Sequence, residues 1–428
     1  MTSPDPPLPS VSPAGARRAY TVYLAQEAAG SFFFMMVVTA SGLFMIQVAR
    51  LDALQLVLVG TALELSAFIF EVPTGVLADT VSRRLSVILG TALVGIGFIV
   101  WGALPLFATI LAGQVLWGLG STFMSGATEA WIADETGNRE TGQVYMRAAQ
   151  LGWASAAAGI LVSVPLAAVW GLQAPILVGG AGYLVTAAAL LVVMPEKHWT
   201  PVPRGDRSVG RAMVDTLRAG VRTVQALPAL LTILAITFIA GAGSEAFDRL
   251  RELHILANFA LPSVPSVPTI FWFGLINLIG LLASVAAVEV ARRRVDTESH
   301  IATARALLWM QVVVIAAVVG FGLAVSFEMA AVAYLVARVV RRMAQPITAA
   351  WVNLGLTSDV RATVLSMNAQ SDALGQIAGG PLLGWLAVAG GTRWAMVAVA
   401  LILAPSLYLY LRTIRLHRRD VIGDESAA

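Results

Sequence analysis

Long apolar runs of nearly uniform length, separated by short polar turns, dominate this chain. The hydrocarbon core of a bilayer takes about 20 apolar residues of helix to cross. Scanning at that length predicts helices at 20–46, 54–78, 85–104, 108–132, 145–169 and 172–194. A second set is predicted at 227–250, 268–291, 302–325, 329–352, 363–388 and 394–414. The expected fold is an all-α integral membrane protein with twelve transmembrane helices.

The only long polar stretch in the interior, 195–226, contains Pro195, Pro201, Pro203 and a run of arginines, and reads as a cytoplasmic linker. It separates an N-terminal six-helix bundle at 20–194 from a C-terminal one at 227–414. Sliding the chain against itself by 220 residues places Ala130-Trp131 on Ala350-Trp351. The same shift brings Val144, Ala149, Gln150, Ala158 and Gly159 onto identical residues, suggesting two pseudo-symmetric halves. The first twenty residues hold five prolines and no cleavable signal. Residues 1–19 are therefore expected to be a disordered cytoplasmic tail, with a second cytoplasmic tail at 415–428.

With 58% hydrophobic and only 12% charged residues and a mean hydropathy of +0.79, the chain is no soluble globule. Most of its 28 basic residues fall on alternate turns, the side that holds both termini. Arg50, Arg249, Arg251 and Arg393 fall on the other side, and Arg338, Arg341 and Arg342 within a span. The positive-inside rule then puts both termini in the cytoplasm. The basic isoelectric point reflects these arginines near an anionic inner leaflet and gives no reason to expect nucleic acid as a partner. With no cysteine, thiolate sites are excluded, and His198, His254, His300 and His417 scatter over expected loops and ends. No metal site, cofactor or enzymatic motif is read; the energy source is expected to be an ion or solute gradient, a proton gradient first, with sodium left open.

The turn Gly75-Val-Leu-Ala-Asp79-Thr-Val-Ser-Arg83-Arg84 lies between the second and third spans. As G-x-L-A-D-x-x-x-R-R it resembles the signature loop of the major facilitator superfamily, and Glu71-Val-Pro73-Thr-Gly75 resembles a pattern of prokaryotic drug-efflux-like members. The resemblance implies a monomeric drug:proton antiporter in a prokaryotic cytoplasmic (inner) membrane, with two six-helix bundles working by alternating access. In the family the aspartate meets the eleventh span and the arginines meet an acid at the end of the fourth. Here that implies an inner latch of Gly75, Asp79, Arg83, Arg84 and Asp134, with Glu129 or Glu135 as alternatives to Asp134. Otherwise the two arginines only set topology.

Ionisable groups within spans need a partner, a watery cavity or a function. Glu27, Glu64 and Asp372 are candidates for proton coupling or substrate binding. Asn368, Asp372 and Gln376 form one i, i+4, i+8 stripe, and Arg338, Arg342 and Gln345 form another. Asp372 can carry a proton or neutralise Arg338 or Arg342; Glu27 can do the former or bond Tyr20 and Tyr23. Glu71, two residues before Pro73, is read as satisfying backbone groups freed by a bend. Glu245, Asp248 and Arg249, with Arg251 and Glu252, read as a solvated rim or as an outer gate. Gly379, Gly380 and Pro381 suggest close helix packing and a bend. Phe32, Phe33, Phe34, Met35, Met36, Trp117, Phe123, Met124, Trp153 and Trp272 could furnish an aromatic and thioether pocket, or face lipid.

The expected function is proton-coupled export of small amphipathic or cationic compounds. Two alternatives stay open: transport of an anionic metabolite through Arg338 and Arg342, or a transport-dead membrane sensor or assembly protein on the same scaffold.

Overall fold

The computed structural model describes residues 12–137, 141–200, 228–354 and 358–425, which are almost entirely helical. Ser12 caps the first helix, its hydroxyl accepting from the Gly15 amide, and Pro13 takes the first helical position. A capping hydroxyl followed by proline is a strong start signal, so α1 (Pro13–Leu43) begins inside the stretch expected to be a tail. Ala19 is already fully buried. Residues 1–11 of that tail lie outside the described residues, as do 201–226 of the expected linker and 426–428 at the C-terminus.

A π-helical turn, Phe44–Val48, prolongs α1, and α2 (Ala53–Thr80) and α3 (Arg83–Ala103) follow. The span expected at 108–132 is two helices, α4 (Phe107–Met124) and α5 (Ala127–Thr136). Gly126 breaks them at φ +69°, a left-handed conformation that glycine adopts without strain. Then come α6 (Thr141–Trp170), α7 (Gln173–Val193), α8 (Pro228–Asn258), α9 (Thr269–Arg294) and α10 (His300–Gly322). The series ends with α11 (Phe327–Asn353), α12 (Ser358–Gly390), α13 (Thr392–Leu403) and α14 (Pro405–Glu425). The span expected at 394–414 is divided at Pro405, which has no N–H to continue the ladder. Helix α14 also runs through most of the expected C-terminal tail.

Among the described residues eleven helical stretches are long and apolar enough to cross a membrane, where twelve were expected. The twelfth stretch, α11, has the length, 27 residues or about 40 Å at 1.5 Å per residue. It lacks the composition, because Glu328, Arg338, Arg341 and Arg342 interrupt it.

The chain forms two compact units, residues 1–44 with 69–209, and residues 45–68 with 210–428. The division therefore falls inside α2 and not only in the linker. Glycines explain how the front of α2 joins the second unit: side chains at Gly380 and Gly384 of α12 would crowd Val57, Thr61 and Leu54.

Each unit has a buried core at one end, and the two cores match under the 220-residue shift. Val87, Ala127, Trp131, Ile132, Val144, Leu190 and Met194 in the first correspond to Leu307, Ile347, Trp351, Val352, Val364, Tyr410 and Ile414 in the second. The key helix pairs match too. In the first unit, a side chain at Gly159 of α6 would collide with the Phe32 carbonyl of α1. In the second, one at Gly379 of α12 would collide with the Ala242 carbonyl of α8. Gly159 and Gly379 are themselves 220 residues apart.

Candidate functional site

The second unit contains a cleft of about 490 Å3 lined by α8, α10, α11, α12 and α14. Its position follows from the tight α8–α12 seam. At Gly241 a side chain would run into the Asp372 carbonyl and come within 3.0 Å of its Oδ1, and at Gly375 one would strike the Phe238 carbonyl. The absent side chain of Gly241 thus leaves room for Asp372. Gln376 Nε2 donates to Asp372 Oδ2 at 2.9 Å, and the Thr237 hydroxyl donates to Asn368 Oδ1 at 2.8 Å. The stripe Asn368, Asp372 and Gln376 lines the cleft.

Across from it, Arg341 of α11 makes two hydrogen bonds to Asp248 of α8, at 2.9 and 3.0 Å, with both side chains partly exposed. The Arg341 guanidinium also lies 5.6 Å from the Phe247 ring centroid, a cation–π contact. Of the two readings for Asp372, the pairing with Arg338 or Arg342 is not found among the described residues. Arg338 donates to Asn277 Oδ1 at 2.7 Å and to the Tyr334 hydroxyl at 3.3 Å. Arg342 reaches Gln345 Oε1 at 3.5 Å. Neither lines the cleft, whereas Arg341 does. The reason is azimuth: Arg341, Gln345 and Thr348 recur at i, i+4, i+7 and share the cleft-facing side of α11. The expected stripe of Arg338, Arg342 and Gln345 shares only Gln345 with that face.

Most of the charged end of α8 is buried and is no solvated rim, with Asp248, open to the cleft, as the exception. Glu245 and Glu252 are each 5% exposed. Arg249 Nε donates to Glu245 at 2.9 Å, while Arg251 binds Glu252 and the Tyr334 hydroxyl, each at 2.6 Å. Gly60 of α2 makes space for the first pair, since a side chain there would overlap Glu245 and Arg249. One turn on stands Glu64, whose charged neighbours are Glu245, Arg249 and Asp372. Pro381, expected with Gly379 and Gly380 to mark packing and a bend, lies inside α12, which continues to Gly390. His254, expected at a loop or end, is fully buried in α8, bonded to Thr392 and to the Phe321 carbonyl at 3.0 Å each.

In the first unit Arg83 contacts Asp134, Asp79 and the Ala130 carbonyl. Arg84 reaches the Leu191 carbonyl, and its amide donates to Glu196 at 2.9 Å. Glu196 also accepts from Ser82 at 2.7 Å, so it closes the start of α3. Glu135, an alternative for the latch, is 1% exposed and accepts from the Lys197 and His198 amides at 2.6 and 2.9 Å. A side chain at Gly75 would meet nothing within 4 Å.

Glu71 accepts from the Ser125 hydroxyl at 3.0 Å and does not serve the backbone around Pro73. There Thr74 donates to Phe70 and Glu71 carbonyls. Proline frees a carbonyl, which needs a donor, and a carboxylate is an acceptor only. Glu27 accepts from Ser31 at 3.3 Å and faces Gly152 of α6; Tyr23 instead packs edge-on against Tyr145.

The expected aromatic lining is dispersed. Phe34 and Trp117 join Phe98 and Trp101 in a ring stack of the first unit, and Trp272 packs against Phe271 and Phe327. Glu196 and the indole of Trp131, which donates to the Pro195 carbonyl at 2.6 Å, were missed in the sequence, and Glu135 was read only as a latch alternative, because each has a backbone partner that carries no residue identity. Among the described residues no group of three or more His, Cys, Asp or Glu is arranged to hold a metal.

The family model described as Major Facilitator Superfamily matches residues 27–369. The "Uncharacterized MFS-type transporter YxaM" of Bacillus subtilis (strain 168) is 30% identical over 103 residues, 23% of this chain. The match covers a quarter of that relative's length. Among solved structures, a bacterial homolog of the human lysosomal transporter Spinster, inward-facing and unoccupied, is similar with a TM-score of 0.72. It shares 15% identity, covering 96% of this chain and 99% of that one. The nucleoside transporter NupG gives 0.71 at 11% identity, covering 92% and 98%. A POT family transporter in complex with a thioalcohol-conjugated peptide gives 0.71 at 13%, covering 94% and 96%. Identities this low carry the fold alone, but the family match spans most of the chain. The chain belongs to the Major Facilitator Superfamily and is a membrane transporter of that type.

Proposed function

We propose that the protein is a proton-coupled exporter of small cationic or amphipathic compounds, working as a monomer by alternating access in a prokaryotic cytoplasmic membrane. In this reading α11 is the twelfth span, its arginines offset by Asp248, Asn277 and Tyr334, and both termini are cytoplasmic. Asp372 carries the reading. It lines the cleft, its hydrogen-bond donor is the neutral amide of Gln376, and Arg341, the cleft's cation, is already held twice by Asp248. An acid so placed can hold either a proton or a cation, and exchanging one for the other is antiport. Glu64, beside Glu245, Arg249 and Asp372, is a second carrier candidate in the same unit. The anionic reading is weaker, because Arg338 and Arg342 do not line the cleft. The pair Arg83 and Asp134 serves as the inner latch, and Glu245 with Arg249 as an outer gate.

The test uses purified protein in liposomes enclosing a pH-sensitive dye, with sodium equal on both sides. Lipophilic and hydrophilic cations, then organic anions, are added outside. Lumenal alkalinisation by cations, lost in Asp372→Asn, is the expected result. Acidification by an anion would replace antiport with symport. Silence until a sodium gradient is imposed would replace the proton with sodium, and silence throughout would favour the transport-dead alternative.

A further inference from the structure

The cleft of the second unit is rich in hydrogen-bonding groups. Four carboxamides, Gln311, Gln345, Asn368 and Gln376, line it with the hydroxyls of Thr237, Ser244 and Thr348. Tyr410 supplies the aromatic ring among its lining residues. Several of these groups keep unused capacity. Asn368 accepts through its carbonyl from Thr237, which leaves its NH2 free to donate, and Gln376 donates to Asp372, which leaves its carbonyl free to accept. The buried amide nitrogen of Gln311 has no hydrogen-bond partner among the described residues.

A ligand that offered only apolar surface would strip water from these amides without replacing its hydrogen bonds, a loss that a polar site cannot recover. Lipophilic cations are held instead by aromatic faces, in which this cleft is poor. Charge narrows the choice further. Arg341 is engaged in two hydrogen bonds by Asp248, so its charge is already matched by a carboxylate of the chain and draws a ligand carboxylate less. Asp372 remains for an ammonium. The volume of about 490 Å3 lies in the range of small-molecule sites.

We propose that this cleft takes a small hydroxylated cation, an amino-sugar-like ammonium held by Asp372 and the surrounding carboxamides, in preference to a lipophilic drug. The inference rests on the reading above that this unit binds cations, and it names their class.

Three probes separate the terms: glucosamine at pH 6.5 (charged, hydroxylated), N-acetylglucosamine (hydroxylated, neutral) and tetraphenylphosphonium (charged, apolar). Equilibrium binding to the purified full chain should favour glucosamine at least tenfold over both. Asn368→Leu and Gln345→Leu should each weaken glucosamine about tenfold while leaving or improving tetraphenylphosphonium, which also reports that the variants are folded. Tighter binding of tetraphenylphosphonium, equal binding of the two sugars, or glucosamine affinity unchanged in both variants would each overturn the proposal.

Binding and proton exchange separate this inference from the proposed function. Tetraphenylphosphonium exchanging for protons while glucosamine does not bind would sink the hydroxylated class and leave the exporter standing. Glucosamine binding with no proton exchange would do the reverse.

Discussion

The α1–α6 pair of the first unit and the α8–α12 pair of the second are built on one plan and filled differently. Both seams close where glycine lets a backbone carbonyl approach, Gly159 on Phe32 and Gly379 on Ala242. The embedded acids are then exchanged between partners. In the first unit Glu27 sits on α1 opposite Gly152 of α6. In the second, residue 372, which matches Gly152 under the 220-residue shift, is the acid, and it lies over Gly241 of α8. Each acid faces a glycine because a close seam has no room for two side chains. Both units hold a packed ring cluster, Phe34, Phe98, Trp101 and Trp117 in the first and Phe247, Phe321 and Tyr334 in the second, and amides and hydroxyls line the cleft of the second. The repeat thus conserves packing and leaves polarity free to specialise.

The largest effect should come from breaking the shared plan. Gly379→Val and Gly159→Val each force a branched side chain into a backbone carbonyl, costing about 3 kcal/mol as an overpacked contact. Both should lower the yield of monodisperse protein sharply; tolerance at only one of them would break the equivalence of the seams. Next in size, Asp372→Asn should abolish cation-driven proton exchange at every pH tested, whereas Glu27→Gln should slow exchange about tenfold. Equal loss in both, measured in the liposome assay, would mean that the two acids have not specialised.

Double-mutant cycles sharpen the comparison at smaller scale. Arg83 with Asp134, and Asp248 with Arg341, should each show about 1 kcal/mol of coupling in thermal stability. Bound cation should change only the second cycle, since only that pair lines the cleft; additive losses would dissolve the pairing concerned. The smallest effect separates two tryptophans related by the shift. Trp131 donates to the Pro195 carbonyl, whereas the Trp351 indole has no partner among the described residues. Trp131→Phe should therefore cost about 1 kcal/mol more than Trp351→Phe in the same melting assay.

Much of the helix map was legible because hydrocarbon imposes a minimum length of apolar chain, and that requirement is local. The breaks at Gly126 and Pro405 left little mark on a 20-residue window, since apolar residues continue on both sides of each. Within the candidate site, the stripe Asn368, Asp372 and Gln376 was readable as one face of a helix. Its neighbour was not, because choosing Arg341 over Arg338 and Arg342 depends on how α11 is rotated about its axis. Arg83 with Asp134 could be anticipated from the signature turn, but Glu196 and Glu135 bind backbone amides, which carry no residue identity to search for.

By itself the sequence determined the solvent, the helical repeat and the inventory of charges that hydrocarbon could not leave unattended. Apolarity over about 20 residues and the 220-residue echo are properties of the chain read in order. Tertiary structure decided the partners: Arg341 for Asp248, Gln376 for Asp372, Ser125 for Glu71, and α2 divided between two units. Those choices depend on helix rotation and on approaches permitted where glycine carries no side chain, and both arise only when distant segments meet.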